Sequence, residues 1–313
     1  MPPEMMCALD KDILDFFARK GKEGQTGDPS AKNANGLKVR RIMQIVRDLA
    51  HKPIEELSVL DLACGEGVYA IETALRGSKV CALDARNQRM EQGANISERL
   101  GLNNLSFVQQ DIREVTLKSQ GEYDVIYLLG ILYHLDVPDS FNVIKNLYAM
   151  CRHLLIIDTH ISLSPKEEIR YETETYKGSK VREHKDDDSN AARTSKLLAS
   201  IDNTFSFLFT KESLVRLLRD VGFTTVFECH APLEPFKPRN RITLIACKGL
   251  PVQISTYPWV NGITEKEIES LIENEERLKI KEKLRNSKGV KQYATNAVNG
   301  ILRLLGYEIR RIV

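Results

Sequence analysis

The chain has 313 residues, 42% apolar and 28% charged, enough for one large α/β domain with appendages or for two modest domains. No stretch approaches the roughly 20 apolar residues of a membrane-spanning helix, and the start Met1-Pro2-Pro3-Glu4 lacks the basic region of a signal peptide. The net charge of +2 conceals an asymmetry: Arg277 to Val313 holds ten Lys/Arg against two acids, so this tail carries +8 and the rest of the chain −6, a balance that predicts no whole-protein attraction to nucleic acid.

In chain order, Leu9, Ile13, Phe16 and Phe17 fall at helical spacing within Ala8–Lys20, followed by a polar loop from Gly21 to Ser30. A second helix is predicted over Leu37–Leu49, closed by Pro53. Short runs rich in Val, Ile, Leu and Phe then predict strands at 57–63, 79–84, 105–110, 123–130, 154–161, 224–229 and 241–247. Helical patterns separate the first five, which implies a parallel sheet covered on both faces. Between Cys229 and Arg241 there is no room for a crossover helix, so the last two strands form a hairpin with one strand antiparallel. The expected fold is therefore a Rossmann-like α/β sheet of seven strands, five parallel plus a terminal hairpin.

Residues 162–210 interrupt this sheet with a polar stretch that includes Lys185-Asp186-Asp187-Asp188-Ser189-Asn190. An excursion of this length is expected to be a lid, a binding loop or disordered chain. Two helices, Thr264–Asn286 and Lys291–Gly306, are predicted at the end. The resulting division is an N-terminal helical cap (1–54), a cofactor-binding domain (55–250) with its insertion, and a basic helical extension (251–313). The six cysteines, at 7, 64, 81, 151, 229 and 247, form no CxxC pair. That argues against a zinc cluster or disulfide framework and for a reducing cytoplasm.

The chemistry concentrates where the first strand runs into Ala63-Cys64-Gly65-Glu66-Gly67. Gly65 and Gly67 let the backbone approach a ligand where a Cβ would clash. The helix that follows, from near Val68, offers unpaired N–H groups. By itself this turn serves a dinucleotide as readily as S-adenosylmethionine, because Gly65-x-Gly67-x-x-Ala70 also fits the dinucleotide pattern. Asp84, ending the second strand, is placed to grip both ribose hydroxyls, as NAD sites also do. Asp111, ending the third, suits the adenine amino group, with Ile112 against the ring; the bland alternative is an acid that caps the next helix. Asp61 can attract the ligand's ammonium and would repel a pyrophosphate. Three strand-end acids suit a cofactor that is cationic at sulfur and amine.

The segments Val59–Gly67, Cys81–Ala85, Gln109–Glu114 and above all Tyr123–Leu135 resemble class I S-adenosylmethionine-dependent methyltransferases. The Leu129-Gly130-Ile131-Leu132-Tyr133-His134-Leu135 run is similar to the branch of the tRNA uridine-5-oxyacetic acid (carboxymethyl-transferring) enzyme. The likeness covers about residues 55–250. It implies cofactor contacts at Ala63, Cys64, Ala85, Leu129 and Gly130, and it maps a cofactor-holding tyrosine onto Tyr133. That branch grips its carboxylated cofactor partly with a tryptophan-bearing lead-in segment. Here the single tryptophan is Trp259, so ordinary S-adenosylmethionine is the expected donor.

With a sulfonium leaving group, catalysis reduces to in-line positioning and removal of a proton from the acceptor. His134, just after the fourth strand, is the first candidate base, weighed against a lining role; His160, ending the fifth beside Asp158, is the second. His51 and His184 read as surface residues, His153 flanks a strand, and His230 leads into the hairpin loop. Asp158-Thr159-His160 is the only local hint of a metal, and none is expected. The expected acceptor is a small molecule or glycan attacked at oxygen, with 162–210 and 8–36 closing over it. A tRNA acceptor, a non-catalytic cofactor binder and an NAD-dependent oxidoreductase are the alternatives. In 291–313, Val298, Ile301, Leu302, Leu305, Ile309 and Ile312 lie at helical spacing with basic residues interspersed. That suits either peripheral contact with anionic lipid or a helix packed on the domain or a dimer partner.

Overall fold

A computed structural model of the protein describes residues 31–230 and 238–251, with Ser270, Glu273 and Asn274 beyond them. The helix expected over 8–20 and the basic helix expected over 291–306 lie outside the described residues. Seven strands form one sheet in the order β3-β2-β1-β4-β5-β10-β9: β1 Ser58–Leu62, β2 Lys79–Asp84, β3 Leu105–Gln109, β4 Tyr123–Leu129, β5 Cys151–His160, β9 Thr225–Glu228 and β10 Arg241–Cys247. The first five are parallel to one another. β10 runs antiparallel between β5 and β9, which is the expected hairpin. The strand order reverses between β1 and β4, and in sheets of this kind ligands bind at the carboxyl ends on either side of that reversal.

The strands carry almost unbroken apolar runs because both faces of the sheet are covered. Alternate residues enter two separate cores. Leu60, Leu62, Ile126, Leu128, Leu155, Ile157, Leu244 and Ala246 belong to one; Val59, Val125, Tyr127, Leu154, Ile156, Ile245 and Cys247 belong to the other. On the second face lies helix α1 (Ala31–Leu49), which contributes Ile42, Met43, Ile45 and Val46, a three-to-four spacing that fits a helical stripe. It starts six residues earlier than the apolar pattern predicts. Helices α2 (Val68–Ala74) and α3 (Asn87–Arg99) bring Ala70, Ala74 and Met90 to the same face. A single turn, α4 (Leu117–Gln120), precedes β4. The opposite core is covered by α5 (Asp139–Met150) and by the later helix α7 (Lys211–Asp220).

The insertion carries regular structure where the sequence shows a polar stretch. It holds three antiparallel strands, β6 (Glu167–Tyr171), β7 (Glu174–Arg182) and β8 (Phe205–Phe209), in a second sheet, with a short helix α6 (Asn190–Ser195) between the last two. Aromatics make this possible. Tyr176, Phe207 and Phe209 are 2% exposed or less, and their rings meet Phe141 of α5 at centroid distances of 5.1, 6.5 and 5.0 Å, inside the range of favourable aromatic pairs. The polar run 185–190 dominates the sequence impression, yet alternate apolar residues in the flanking strands build the small sheet. No helix among the described residues is long and apolar enough to cross a membrane.

Asp124 staples the lower rim. One carboxylate oxygen accepts from the Ser58 amide and hydroxyl at 2.9 and 2.8 Å, and the other from Lys52 Nζ at 3.0 Å. Burial alone would raise its pKa, but these donors outweigh burial and hold the carboxyl below its ordinary value. Charge-assisted bonds of this kind contribute about 1.5–3 kcal/mol each when a partner is removed. Asp124→Ala is therefore expected to lower the thermal midpoint by roughly 5–10 °C, at about 2–4 °C per kcal/mol for a domain of this size. Because the folded pKa is depressed, the difference from wild type should be complete above the unfolded carboxylate value of about 3.9. It should vanish as the pH falls through the folded pKa. Equal midpoints at neutral pH would show that the staple contributes nothing.

Candidate active site

The glycine turn after β1 is held by the neighbouring strand. The Cys64 amide donates to the Leu83 carbonyl at 2.9 Å and the Gly67 amide to Cys64 at 2.9 Å. Ala63 has φ 52° and Gly67 φ 74°, a region that costs a non-glycine residue on the order of 1 kcal/mol. A Cβ on Gly67 would also lie 2.7 Å from the Phe107 ring. Asp84 ends β2 at 4% exposure. Its Oδ2 accepts from the Gly65 amide and its Oδ1 from the Arg86 amide, both at 2.9 Å. The expected ribose acid thus also fixes the turn beside it. Asp111 caps a 3-10 turn, Ile112–Glu114, by accepting from the Arg113 amide, and pairs with the Arg113 guanidinium at 2.6 Å. The capping role is real, and Asp111 also lines a cavity.

That cavity, about 460 Å³, is lined by Ala63, Asp84, Ala85, Asp111, Ile112, Leu129, Gly130, Tyr133 and His134 among the residues singled out from sequence. Its size falls within the range of small-molecule and cofactor sites. Asp61, Cys64, Gly65, Gly67 and His160 do not line it. Asp61 is buried beneath the turn at 1% exposure. Cys64 packs into the second core, where burial pushes its thiol far above the ordinary value. His160 sits behind Tyr133, ring edge to face at 4.7 Å, and its Nδ1 donates to Asn240 Oδ1 at 3.2 Å. Burial, then the charge of Arg241, lowers the His160 pKa.

His134 closes a 3-10 turn, Leu132–His134, at the end of β4. Its Nδ1 donates to Glu183 Oε1 at 2.9 Å, and Glu183 Oε2 accepts from the Ser200 amide at 3.1 Å. Burial would raise the Glu183 carboxyl, but His134 and the Ser200 amide outweigh it and hold it below the usual range. The His134 carbonyl accepts from Asn203 Nδ2 at 3.1 Å, and the Phe207 amide donates to the Leu135 carbonyl at 2.8 Å. The insertion therefore grips this turn from both sides. The Tyr133 ring lies beside His134, tilted by 44° with centroids 4.3 Å apart. Burial raises its pKa, against the opposing charge of Arg241. Asp158 is engaged by Arg241 Nε at 2.6 Å and by Thr243 Oγ1 at 2.9 Å. No group of three or more His, Cys, Asp or Glu able to hold a metal occurs among the described residues.

Several residues of this site carry no signal in the sequence reading. Glu183 lies in a polar stretch 49 positions from its partner, and nothing in Val181-Arg182-Glu183-His184 marks it. Arg86, Arg89, Arg113, Arg241 and Lys38 also line the cavity. His184 is a correction: it is 1% exposed, not a surface residue, and its Nε2 donates to the Ser200 carbonyl at 2.9 Å. His153 is buried at 8%, with Nε2 donating to the Leu49 carbonyl at 2.8 Å.

Comparison with known proteins agrees with this architecture. The model of a family described as "Methyltransferase domain" matches residues 32–228. The ubiquinone biosynthesis O-methyltransferase of Rickettsia canadensis (strain McKiel) is 26% identical over 138 residues, 44% of this chain and 57% of that protein. Its counterpart from Rickettsia prowazekii (strain Madrid E) is 29% identical over 134 residues, 41% of this chain and 51% of that one. The chain thus spans just over half the length of these curated relatives. The N-terminal domain of EvdMO1, solved with SAH and D-fucose, superposes with a TM-score of 0.54 at 15% identity, covering 77% of this chain and 98% of that one. That similarity shows a shared fold.

Asp84 can be tested directly. Asp84→Ala removes the carboxylate from the cavity wall and leaves the Gly65 and Arg86 amides without their acceptor, so S-adenosylhomocysteine binding measured by calorimetry should weaken by at least 100-fold. Asp84→Asn keeps one acceptor oxygen and should lose less. Wild-type affinity in the alanine variant would remove Asp84 from the cofactor site.

Proposed function

The chain belongs to the methyltransferase-domain family, and from that premise we propose that it transfers the methyl group of S-adenosylmethionine to an oxygen of a small molecule or glycan, with His134 as the base. Family membership decides between the two cofactors that the glycine turn alone leaves open. The observation that carries the proposal is the His134–Glu183 pair at 2.9 Å, which places His134 in the wall of the same cavity as Asp84 and Asp111.

The residues present fit such a donor. Asp84 offers a buried carboxylate for the ribose hydroxyls, while Asp111 and Ile112 offer an acceptor and an apolar surface for adenine. The Ala63 turn allows close backbone approach, and Tyr133 and Leu129-Gly130 complete the wall. When bound, S-adenosylmethionine supplies a methyl group on a sulfonium that leaves readily. The protein's part is proton removal and alignment. With Nδ1–H committed to Glu183, the neutral ring presents Nε2 as its basic nitrogen, which takes the hydroxyl proton as the acceptor oxygen forms its bond to carbon. Glu183 fixes that tautomer and stabilises the imidazolium that results. Its own carboxylate is kept ionised by the Ser200 amide and His134. The name of the curated relatives, O-methyltransferase, supports oxygen as the attacked atom. A tRNA acceptor rests on the likeness of the Leu129–Leu135 run and on the basic tail from Arg277 to Val313.

General bases of this kind contribute typically 10²–10⁴-fold. His134→Ala should lower turnover in that range while S-adenosylhomocysteine affinity stays within about threefold. Glu183→Gln, which keeps the shape but loses the charge, should lower turnover by at least tenfold. A labelled-methyl assay against fractionated small-molecule, glycan, lipid and RNA acceptors supplies the substrate. Unchanged turnover in His134→Ala would reduce this residue to a lining role.

A further inference from the structure

An acid followed two positions later by an arginine occurs at the end of both β2 and β3: Asp84-Ala85-Arg86 and Asp111-Ile112-Arg113. In each case the acid belongs to the cavity and the arginine reaches into the insertion. Arg86 Nε donates to the Thr194 carbonyl at 3.2 Å, and Arg86 Nη2 to the carbonyls of Lys196, Ala199 and Ser200 at 3.3, 3.1 and 3.1 Å. These carbonyls lie at and beyond the carboxyl end of α6, where helix geometry leaves acceptors unpaired, and a planar guanidinium can serve several at once. Arg113 holds Asp202 through two bonds of 2.9 Å.

The segment so held is part of the cavity wall: Leu197 to Ile201 line it together with Asp84 and Asp111. Apolar burial does not fix it, since Leu197 is 45% and Leu198 84% exposed. The polar contacts do. Ser200 links the two halves of the site, because its carbonyl accepts from Arg86 and His184 while its amide donates to Glu183, the partner of His134.

Resting on the cofactor site proposed above, we infer that residues 194–203 of the insertion form the wall over the adenosine side of the donor. In this reading Arg86 is the positioning residue that fixes this wall and, through Ser200 and Glu183, the orientation of His134. An insertion after the fifth strand would ordinarily be assigned to the acceptor alone. The two arginines draw this one across the ends of β2 and β3, where a nucleoside would lie. A hydrogen-bonded path then runs from the Asp84 carboxylate through the Arg86 amide and side chain to Ser200, Glu183 and His134.

The test compares full-length wild type, Arg86→Ala and Arg86→Lys by calorimetry with S-adenosylhomocysteine, by amide hydrogen exchange, and by the donor KM. In wild type, S-adenosylhomocysteine should slow exchange across 194–203. Arg86→Ala should weaken binding at least tenfold, raise the donor KM in parallel, and speed exchange in 194–203 while the core strands β1, β4 and β5 keep theirs. Arg86→Lys retains the charge but cannot span four carbonyls, so a several-fold loss is expected even where the alanine variant folds poorly. Binding within twofold of wild type in Arg86→Lys and in a folded Arg86→Ala would overturn the inference, as would unchanged exchange across 194–203. No S-adenosylhomocysteine binding by wild type would overturn the proposed function itself, a separate result.

Discussion

Asp84 lies at 4% exposure, and a carboxylate at that depth is tolerated only when donors replace its water. It finds them in two backbone amides, Gly65 on the turn after β1 and Arg86 on the turn after β2. That pair of bonds fixes both loops flanking the cavity relative to one another. The left-handed Ala63, the tight approach of Gly67 to Phe107 and the start of α2 all follow from the position this imposes on the glycine turn. A residue expected only to hold a ribose thus also keeps the site in shape before any ligand arrives. Preorganisation of this sort reduces the ordering cost of binding.

The sheet supplies the rigid base against which such loops can be held. Its two faces feed separate cores, and the reversal of strand order between β1 and β4 leaves their carboxyl ends open to a ligand. The insertion docks on one of these cores through Tyr176, Phe207 and Phe209 against Phe141. Because β8 is anchored there, the Phe207 amide and Asn203 side chain hold the turn bearing His134 at fixed height. The small sheet is therefore part of the scaffold that holds the His134 turn rather than an appendage, and Glu183, just past the end of its middle strand, is brought to His134 by that docking.

The parts of this structure written in local pattern were legible in the sequence. Apolar runs of strand length, the lack of space between Cys229 and Arg241, and the acid-ended strands specified the large sheet and its site edge. Asp84, Asp111 and His134 could be picked out because each ends or closely follows a strand that could be placed, and Tyr133 because the family resemblance maps a tyrosine there. Glu183, Ser200, Arg86 and Arg113 were not. The contacts that tie them across the fold, His134–Glu183, Arg113–Asp202 and Arg86–Ser200, close over 49 to 114 residues, and in a polar insertion no period of 2 or 3.6 marks which charged side chain turns inward. His184 was misread for the same reason: flanked by Glu183 and the Lys185–Asp188 charges, it resembles surface chain, yet Ser200 draws it inside. The repeated Asp-x-Arg was visible in the sequence, but its meaning depends on where the insertion lies.

The charge of the cavity raises an apparent conflict, since a cationic donor would enter a space lined by Lys38 and four arginines. The pairings remove much of that field. Arg241 is neutralised by Asp158, and Arg113 lies between Asp111 and Asp202. Arg86 is directed at four carbonyls, whose partial charges offset its own. At the short distances of these pairs, Coulomb attraction to the partner exceeds repulsion of a more distant cation across a partly solvated cavity. The acids at the ends of β2 and β3 keep their carboxylates in the wall while their arginine neighbours bind the insertion. The same four side chains thus face both ways: the carboxylates suit a cationic nucleoside, and the guanidinium groups hold the wall that would enclose it.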